Sequence, residues 1–205
     1  MKKLTILFSL AFVACLAMSA QAQEGMVGKV MKDLPKMKDA TNGGKMVSLA
    51  SFKKAKGFIL IFTCNHCPYS KAYEDRIVAL DKKYKKKGYP VIAVNPNDPV
   101  KYPTDSYKAM ITRAKEKGFT FPYLLDKTSN VAREYKATKT PHTYILKKQG
   151  NKYKIVYIGA IDDSARDESN ISAKYVEKAM ADVLKGKTPA KNYSRAVGCS
   201  IKYRQ

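Results

Sequence analysis

Ile59-Leu60-Ile61-Phe62-Thr63-Cys64-Asn65-His66-Cys67-Pro68 is the stretch whose reading decides the fold. Its first four residues form a short apolar, partly β-branched run, the pattern of a buried strand. The run stops at two cysteines separated by two residues, and Pro68 stands where a helix would begin. Proline is tolerated in a first helical turn because its missing N–H has no intrahelical partner there. The sequence therefore places a dithiol on the corner between a central strand and a helix N-terminus. Unpaired N–H groups and the helix dipole stabilise a thiolate at such a corner. Cys64 comes first and is expected at the more exposed edge, as the nucleophile with a lowered pKa. Cys67 is the expected resolving thiol, and His66 between them would further stabilise a neighbouring thiolate.

Two plainer readings of a lone CxxC stand beside the redox one. A structural zinc site wants four N/S ligands. The other candidates are His66, His142, Cys199 and Cys15, which form no second ligand pair, so neither a metal nor any other cofactor is expected. A static Cys64–Cys67 disulfide would close a very short loop and constrain little chain entropy. Redox chemistry is the favoured reading.

Upstream, Lys2 and Lys3 precede an apolar run from Leu4 to Met18, and Ala20-Gln21-Ala22 offers a small-x-small cleavage site before Gln23. The run is too short for a comfortable membrane span. Residues 1–22 read as a secretory signal peptide, which implies a periplasmic or secreted protein. Val13-Ala14-Cys15 offers a competing lipoprotein signal, disfavoured because Phe12 fits its aliphatic position poorly. Signal cleavage would leave three cysteines, an odd number in an oxidising compartment. If Cys64 and Cys67 pair, Cys199 is left over. It is either a buried free thiol or a third redox thiol folded back to the corner.

The formal net charge is +22 over 205 residues. Nucleic-acid binding is the first reading of such a charge. The lysines are spread along the chain, however, no nucleic-acid motif is present, and export would remove that partner. The densest cluster, Lys82-Lys83 and Lys85-Lys86-Lys87, falls near a helix end, where cations suit the dipole. It reads as a solvated face, with electrostatic contact to an anionic envelope surface or an acidic partner left open.

Along the chain, Asn42-Gly43-Gly44 marks a hairpin turn in the lead-in. A helix is expected over 70–87, carrying Tyr73, Ile77, Leu80 and Tyr84 at helical spacing and stopped by Gly88. Val91-Ile92-Ala93-Val94 reads as a second buried strand. Thr104 or Asp105 is the expected cap of a helix running through Met110 and Ala114 to Gly118. A strand at 121–125, a short helix at 130–135, and a hairpin of 142–146 with 154–158 follow. Asn170 or Ser172 would cap a last amphipathic helix that ends at Gly186. Residues 187–205 show no periodicity. Alternating strands and helices followed by a hairpin and a helix argue for an α/β sheet with an antiparallel edge.

This order of parts resembles the thioredoxin-like superfamily. The resemblance rests on the Phe58–Pro68 corner, on Phe121-Pro122-Tyr123-Leu124-Leu125-Asp126 with Val131-Ala132-Arg133-Glu134-Tyr135, on Thr140-Pro141, and on Gly150 and Gly159. The extra strand and helix between Val94 and Gly118 resemble the insertion of redoxin-domain proteins of the alkyl hydroperoxide reductase/thiol-specific antioxidant and TlpA/ResA type. So do Asn95-Pro96-Asn97-Asp98, Gly159-Ala160-Ile161-Asp162-Asp163 and Gly198-Cys199-Ser200-Ile201-Lys202. The resemblance implies an α/β thioredoxin-like fold with a redoxin-type insertion, over residues 23–186, followed by a tail at 187–205. It implies a cis Thr140–Pro141 bond, with the Thr140 backbone free to pair with an extended substrate.

The departures are informative. There is no tryptophan, and Thr63 replaces the aromatic that often precedes the first cysteine. Phe58 stands where thioredoxin has a buried acid, so proton transfer to Cys67 needs another group or water. Ile61, three residues before Cys64, breaks the peroxidase pattern. The leading expectation is an exported thiol–disulfide oxidoreductase acting through Cys64 and Cys67, supported by His66, Thr140 and Pro141. Its partners would be protein thiols or disulfides and a redox partner protein. The alternatives are a thiol peroxidase and a non-catalytic basic binding module on the same scaffold.

Overall fold

A computed structural model describes residues 23–205; the expected signal peptide and Cys15 lie outside them. In chain order the early strands are β1 (Val30–Met31), β2 (Met37–Asp39), β3 (Met46–Val47), β4 (Gly57–Phe62), β5 (Val91–Asn95) and β6 (Tyr123–Leu125). They are followed by β7 (Lys139–Thr140), β8 (His142–Gln149), β9 (Lys152–Gly159) and β10 (Cys199–Ser200). The helices are α1 (Pro68–Lys85), α2 (Tyr107–Glu116), α3 (Asn130–Glu134) and α4 (Tyr175–Leu184).

Among the described residues, eight strands form one sheet in the order β1-β9-β8-β4-β5-β6-β2-β3. β4, β5 and β6 run parallel, while β8 lies antiparallel on the other side of β4. This is the expected α/β class with a mixed central sheet flanked by helices.

The alternation along β4 explains why the sheet needs cover on both sides. Successive strand side chains point to opposite faces. Phe58, Leu60 and Phe62 enter one core with Ile92, Val94, Leu124 and the α3 residues Val131 and Ala132. Ile59 and Ile61 enter the other with Tyr73, Ile77, Leu80 and Tyr84 of α1, Met110 of α2, and Val176 and Met180 of α4. Every residue of β4 is buried, as a parallel strand covered on both faces should be.

Two helix starts differ from expectation. α2 is capped by Ser106, whose side chain accepts from the Ala109 N–H, while Pro103–Asp105 forms a separate 3-10 turn. Asp105 is thereby released from capping and turned inward. α4 begins after Lys174, which makes no side-chain cap, and Glu168–Asn170 forms its own short turn upstream. The lead-in adds β1, which pairs with β9. β1 is too short for any periodicity to have marked it.

The aperiodic tail is ordered by long-range contacts. β10 pairs antiparallel with β7, setting Cys199 opposite Thr140. Ile201 is buried and joins the β4 core, and its N–H donates to the Thr138 carbonyl at 3.1 Å. The Asp98 N–H donates to the Lys202 carbonyl at 2.7 Å, and the Lys202 N–H to Asn97 Oδ1 at 2.9 Å. The tail is therefore a strap between the loop after β5 and the loop before β8.

Candidate active site

β4 ends at Phe62, and the chain turns so that Cys67 is the N-cap of α1 with Pro68 in the first turn. The corner predicted from sequence is present. The Thr140–Pro141 bond is cis, and its loop forms the facing wall. Thr140 touches both sulfurs. The Cys64 thiol donates to Thr140 Oγ1 at 3.2 Å, and the Cys67 thiol to the Thr140 carbonyl at 3.1 Å. All three residues are buried, and Cys64, 3% exposed against 0% for Cys67, is the more exposed sulfur of the pair by a narrow margin.

Two of the N–H groups at the corner serve Asp105, which leaves the Cys67 N–H to Cys64. Asp105, fully buried, accepts from the Asn65 N–H at 2.7 Å and the His66 N–H at 3.2 Å on one carboxylate oxygen. Asn95 Nδ2 donates to the same oxygen at 3.2 Å, and Asn97 Nδ2 to the other at 2.9 Å. Asn65 is fixed further by Tyr123, whose hydroxyl donates to Asn65 Oδ1 at 3.0 Å. A buried carboxylate with several donors is well satisfied, and its charge acts strongly on neighbours in a low-dielectric site.

The two thiols consequently titrate as a pair, the first proton leaving early and the second late. The Cys64 thiol is pushed well above its ordinary value by the hydrogen-bonded Cys67, by burial and by the Asp105 charge. Cys67 is drawn down to about 4, chiefly by the hydrogen bond from Cys64, against the effect of burial. The Cys199 thiol and the Ser70 and Cys199 amides add to that lowering. The Thr140 carbonyl 3.1 Å from Cys67 favours a proton there instead, but it is a dipole opposed to the full charge of Asp105. The direction at Cys64, upward, is opposite to the lowering expected from its place beside a helix N-terminus.

His66 is exposed and its ring packs on Tyr102, with centroids 4.8 Å apart. Its backbone N–H rather than its imidazole is what binds the corner together. Cys199 is brought to the corner by β10, opposite Thr140, close enough to Cys67 for each thiol to shift the other's pKa. Thr140, expected to be free for an extended substrate, is thus already paired within the chain. An open groove of about 400 Å³, lined by Asn65, Lys71, Thr104, Lys108 and Arg113, approaches the corner from the α2 side. The sequence reading missed Asp105, which it took for a helix cap. The available signal was the run Asn95, Asn97 and Asp98 after a buried strand, polar groups that need partners when a loop is packed inward.

The chain aligns with solved structures over most of its length. An uncharacterized conserved protein from Geobacillus kaustophilus superposes with a TM-score of 0.78 at 34% identity, covering 87% of this chain and 92% of its own. A hypothetical protein from Sinorhizobium meliloti 1021 also gives 0.78, at 28% identity over 87% and 94% of the two chains. The thiol-disulfide oxidoreductase ResA of Halalkalibacterium halodurans is 28% identical over 152 residues, which is 73% of this chain and 75% of that protein. The sequence pattern of the AhpC/TSA family matches residues 28–155, a span that holds β4, the dithiol corner and the cis-proline loop. With more than half of its length matched, the chain belongs to the AhpC/TSA family, on a thioredoxin-like fold.

Proposed function

We propose that the protein is an exported thiol–disulfide oxidoreductase that exchanges disulfides through Cys64 and Cys67. The observation that carries the reading is the contact of both sulfurs with Thr140, the residue before the cis proline. In the reduced pair the two sulfurs share a proton, and exchange starts from the form in which it rests on Cys67, whose thiol donates to the Thr140 carbonyl at 3.1 Å. Cys67 is thus the proton acceptor that Phe58 cannot be. Cys64, as thiolate, attacks a protein disulfide, forming the mixed disulfide and expelling one client thiolate. Cys67 gives its proton to that thiolate, attacks Cys64 Sγ, and expels the second client sulfur as thiolate. The similarity to ResA supports the same chemistry.

Export rests on Lys2, Lys3, the apolar run to Met18 and Ala20-Gln21-Ala22. Gln23, the first residue after the expected cleavage site, is buried and donates to Thr138 Oγ1 at 2.6 Å. The positive charge suits clients or envelope surfaces that are anionic.

Cys67→Ser should accumulate mixed disulfides on Cys64 with envelope proteins, and the wild type should catalyse exchange with a reporter protein disulfide. Absence of both adducts and exchange would overturn the reading. A peroxide-reducing role is disfavoured by Ile61 and by the raised Cys64 thiol. Peroxide consumption no faster than by a free thiol, in stopped flow, is the matching expectation.

A further inference from the structure

The exchange reading uses two sulfurs, but three stand together. Cys67 lies between Cys64 and Cys199 and is the most enclosed of them, at 0% exposure. Cys199 is the least enclosed, half-buried in the strap. The strap is built to bring it there. Gly198 passes so close to the cis-proline loop that a Cβ would lie 2.2 Å from the Thr140 carbonyl oxygen and 3.1 Å from Pro141 N. Any side chain would push the strap off, so only glycine permits this approach. Cys199 then sits opposite Thr140, whose carbonyl oxygen is 3.1 Å from Cys67 Sγ. On the far side of Cys199, Ile201 is buried and Lys202 is held by Asn97 and Asp98, so the placement does not depend on the two-residue strand alone.

Cys199 occupies the pairing edge of Thr140 that the resemblance assigns to an extended client. We propose that Cys199 is a resident third redox thiol that exchanges with Cys67. This deepens the exchange reading and rests on it. The step is a balanced thiol–disulfide exchange within one chain. Cys199, as thiolate, attacks Cys67 Sγ of the oxidised Cys64–Cys67 pair. The Cys67–Cys199 bond forms, the Cys64–Cys67 bond breaks, and Cys64 leaves as thiolate, taking up a proton equivalent to the one Cys199 gave. No outside oxidant or reductant enters. The disulfide moves from the interior to the half-exposed strap, where a client or reductant thiol can reach it.

Burial, which persists when Cys67 is in the disulfide, pushes the Cys199 thiol up, so the attacking thiolate is scarce at neutral pH. Transfer should therefore quicken with rising pH, a dependence that a merely structural cysteine would lack.

The test uses oxidised glutathione on the full mature chain, followed by acid quench and peptide mapping. In Cys64→Ser, Cys67 should take up glutathione and Cys199 should then displace it as free reduced glutathione, leaving a Cys67–Cys199 bridge that forms faster at higher pH. In Cys64→Ser with Cys199→Ser, the glutathione should stay on Cys67. Glutathione retained on Cys67 in the single variant, or no bridge under any of these conditions, overturns the relay. The parent reading is judged separately, by exchange of a reporter disulfide in Cys199→Ala. If that variant exchanges while no bridge forms, the relay falls and the Cys64/Cys67 reading stands.

Discussion

The dithiol corner and the C-terminal strap meet at Thr140, yet they are held there by different means. The corner is a local object. An apolar strand, a two-residue gap between cysteines and a proline at the first helical turn fix it within the stretch from Ile59 to Pro68. The strap has no helix and only two strand residues, and each of its anchors lies far away in sequence, at Asn97, Thr138 and Thr140. The corner should thus be robust to any single surface change, whereas the strap should fail wherever one close contact is spoiled. The difference also divides the site: the corner carries the dithiol, and the strap occupies the pairing edge of Thr140 beside it.

The largest effect is expected beneath the corner. Phe62, fully buried, packs edge-on against Tyr144 with centroids 5.6 Å apart. Phe62→Ala should cost about 3–5 kcal/mol in denaturant unfolding, through lost burial and the cavity left behind. A loss under about 1 kcal/mol would mean that the corner does not depend on this core.

His142, the residue after Pro141, gives the next test. Burial holds its pKa down at about 3 from an ordinary 6.5, so the fold contains neutral imidazole. A group with a depressed folded pKa leaves stability intact above the unfolded value. Stability is then lost as pH falls from 6.5 towards 3, by up to about 1.4 kcal/mol per pH unit. Urea unfolding at pH 7 and near pH 4 should show this loss in the wild type, and His142→Phe should flatten it. An unchanged slope in the variant would point to the carboxylates instead.

On the strap, Gly198→Ala must displace backbone, because its Cβ meets the Thr140 carbonyl at 2.2 Å. We expect about 1–3 kcal/mol of destabilisation, and faster alkylation of Cys199 as the strap lifts. Normal stability with a protected Cys199 would show that the strap has slack.

The last test is read in chemistry rather than stability: Asp105→Asn. An Asn Oδ1 still accepts from the Asn65 and His66 N–H groups, its Nδ2 meets the Asn97 amide donor to donor, and the charge beside Cys64 is removed. The Cys64 pKa should fall and its alkylation at neutral pH should quicken. No change in the pH profile of Cys64 alkylation would remove Asp105 from the account.

Much of the fold was legible in residue patterns. β4 and β5 were marked by short apolar, β-branched runs, α1 by helical spacing with Gly88 as its stop, and the β8–β9 hairpin by its turn at Gly150. Boundaries shifted where a cap was assigned to the wrong polar residue, as at Ser106, because Ser, Thr and Asp all cap equally well on paper. Cys64, Cys67, Thr140 and Pro141 were read as one site, and the structure brings them together. The ionisation of that site was not legible, since Asp105 lies forty residues on and reaches the corner only through the fold.

By itself, then, the sequence determined that a dithiol would stand between a buried strand and a helix, opposite a Thr-Pro loop. Hydrophobic period, proline geometry and cysteine spacing are local properties, and they suffice for that much. Only the tertiary structure decided which buried carboxylate stands beside the pair and which third cysteine is brought near it. Electrostatic fields and close backbone approach depend on distances through space, and Asp105 and Cys199 are near Cys67 only after the chain has closed around it.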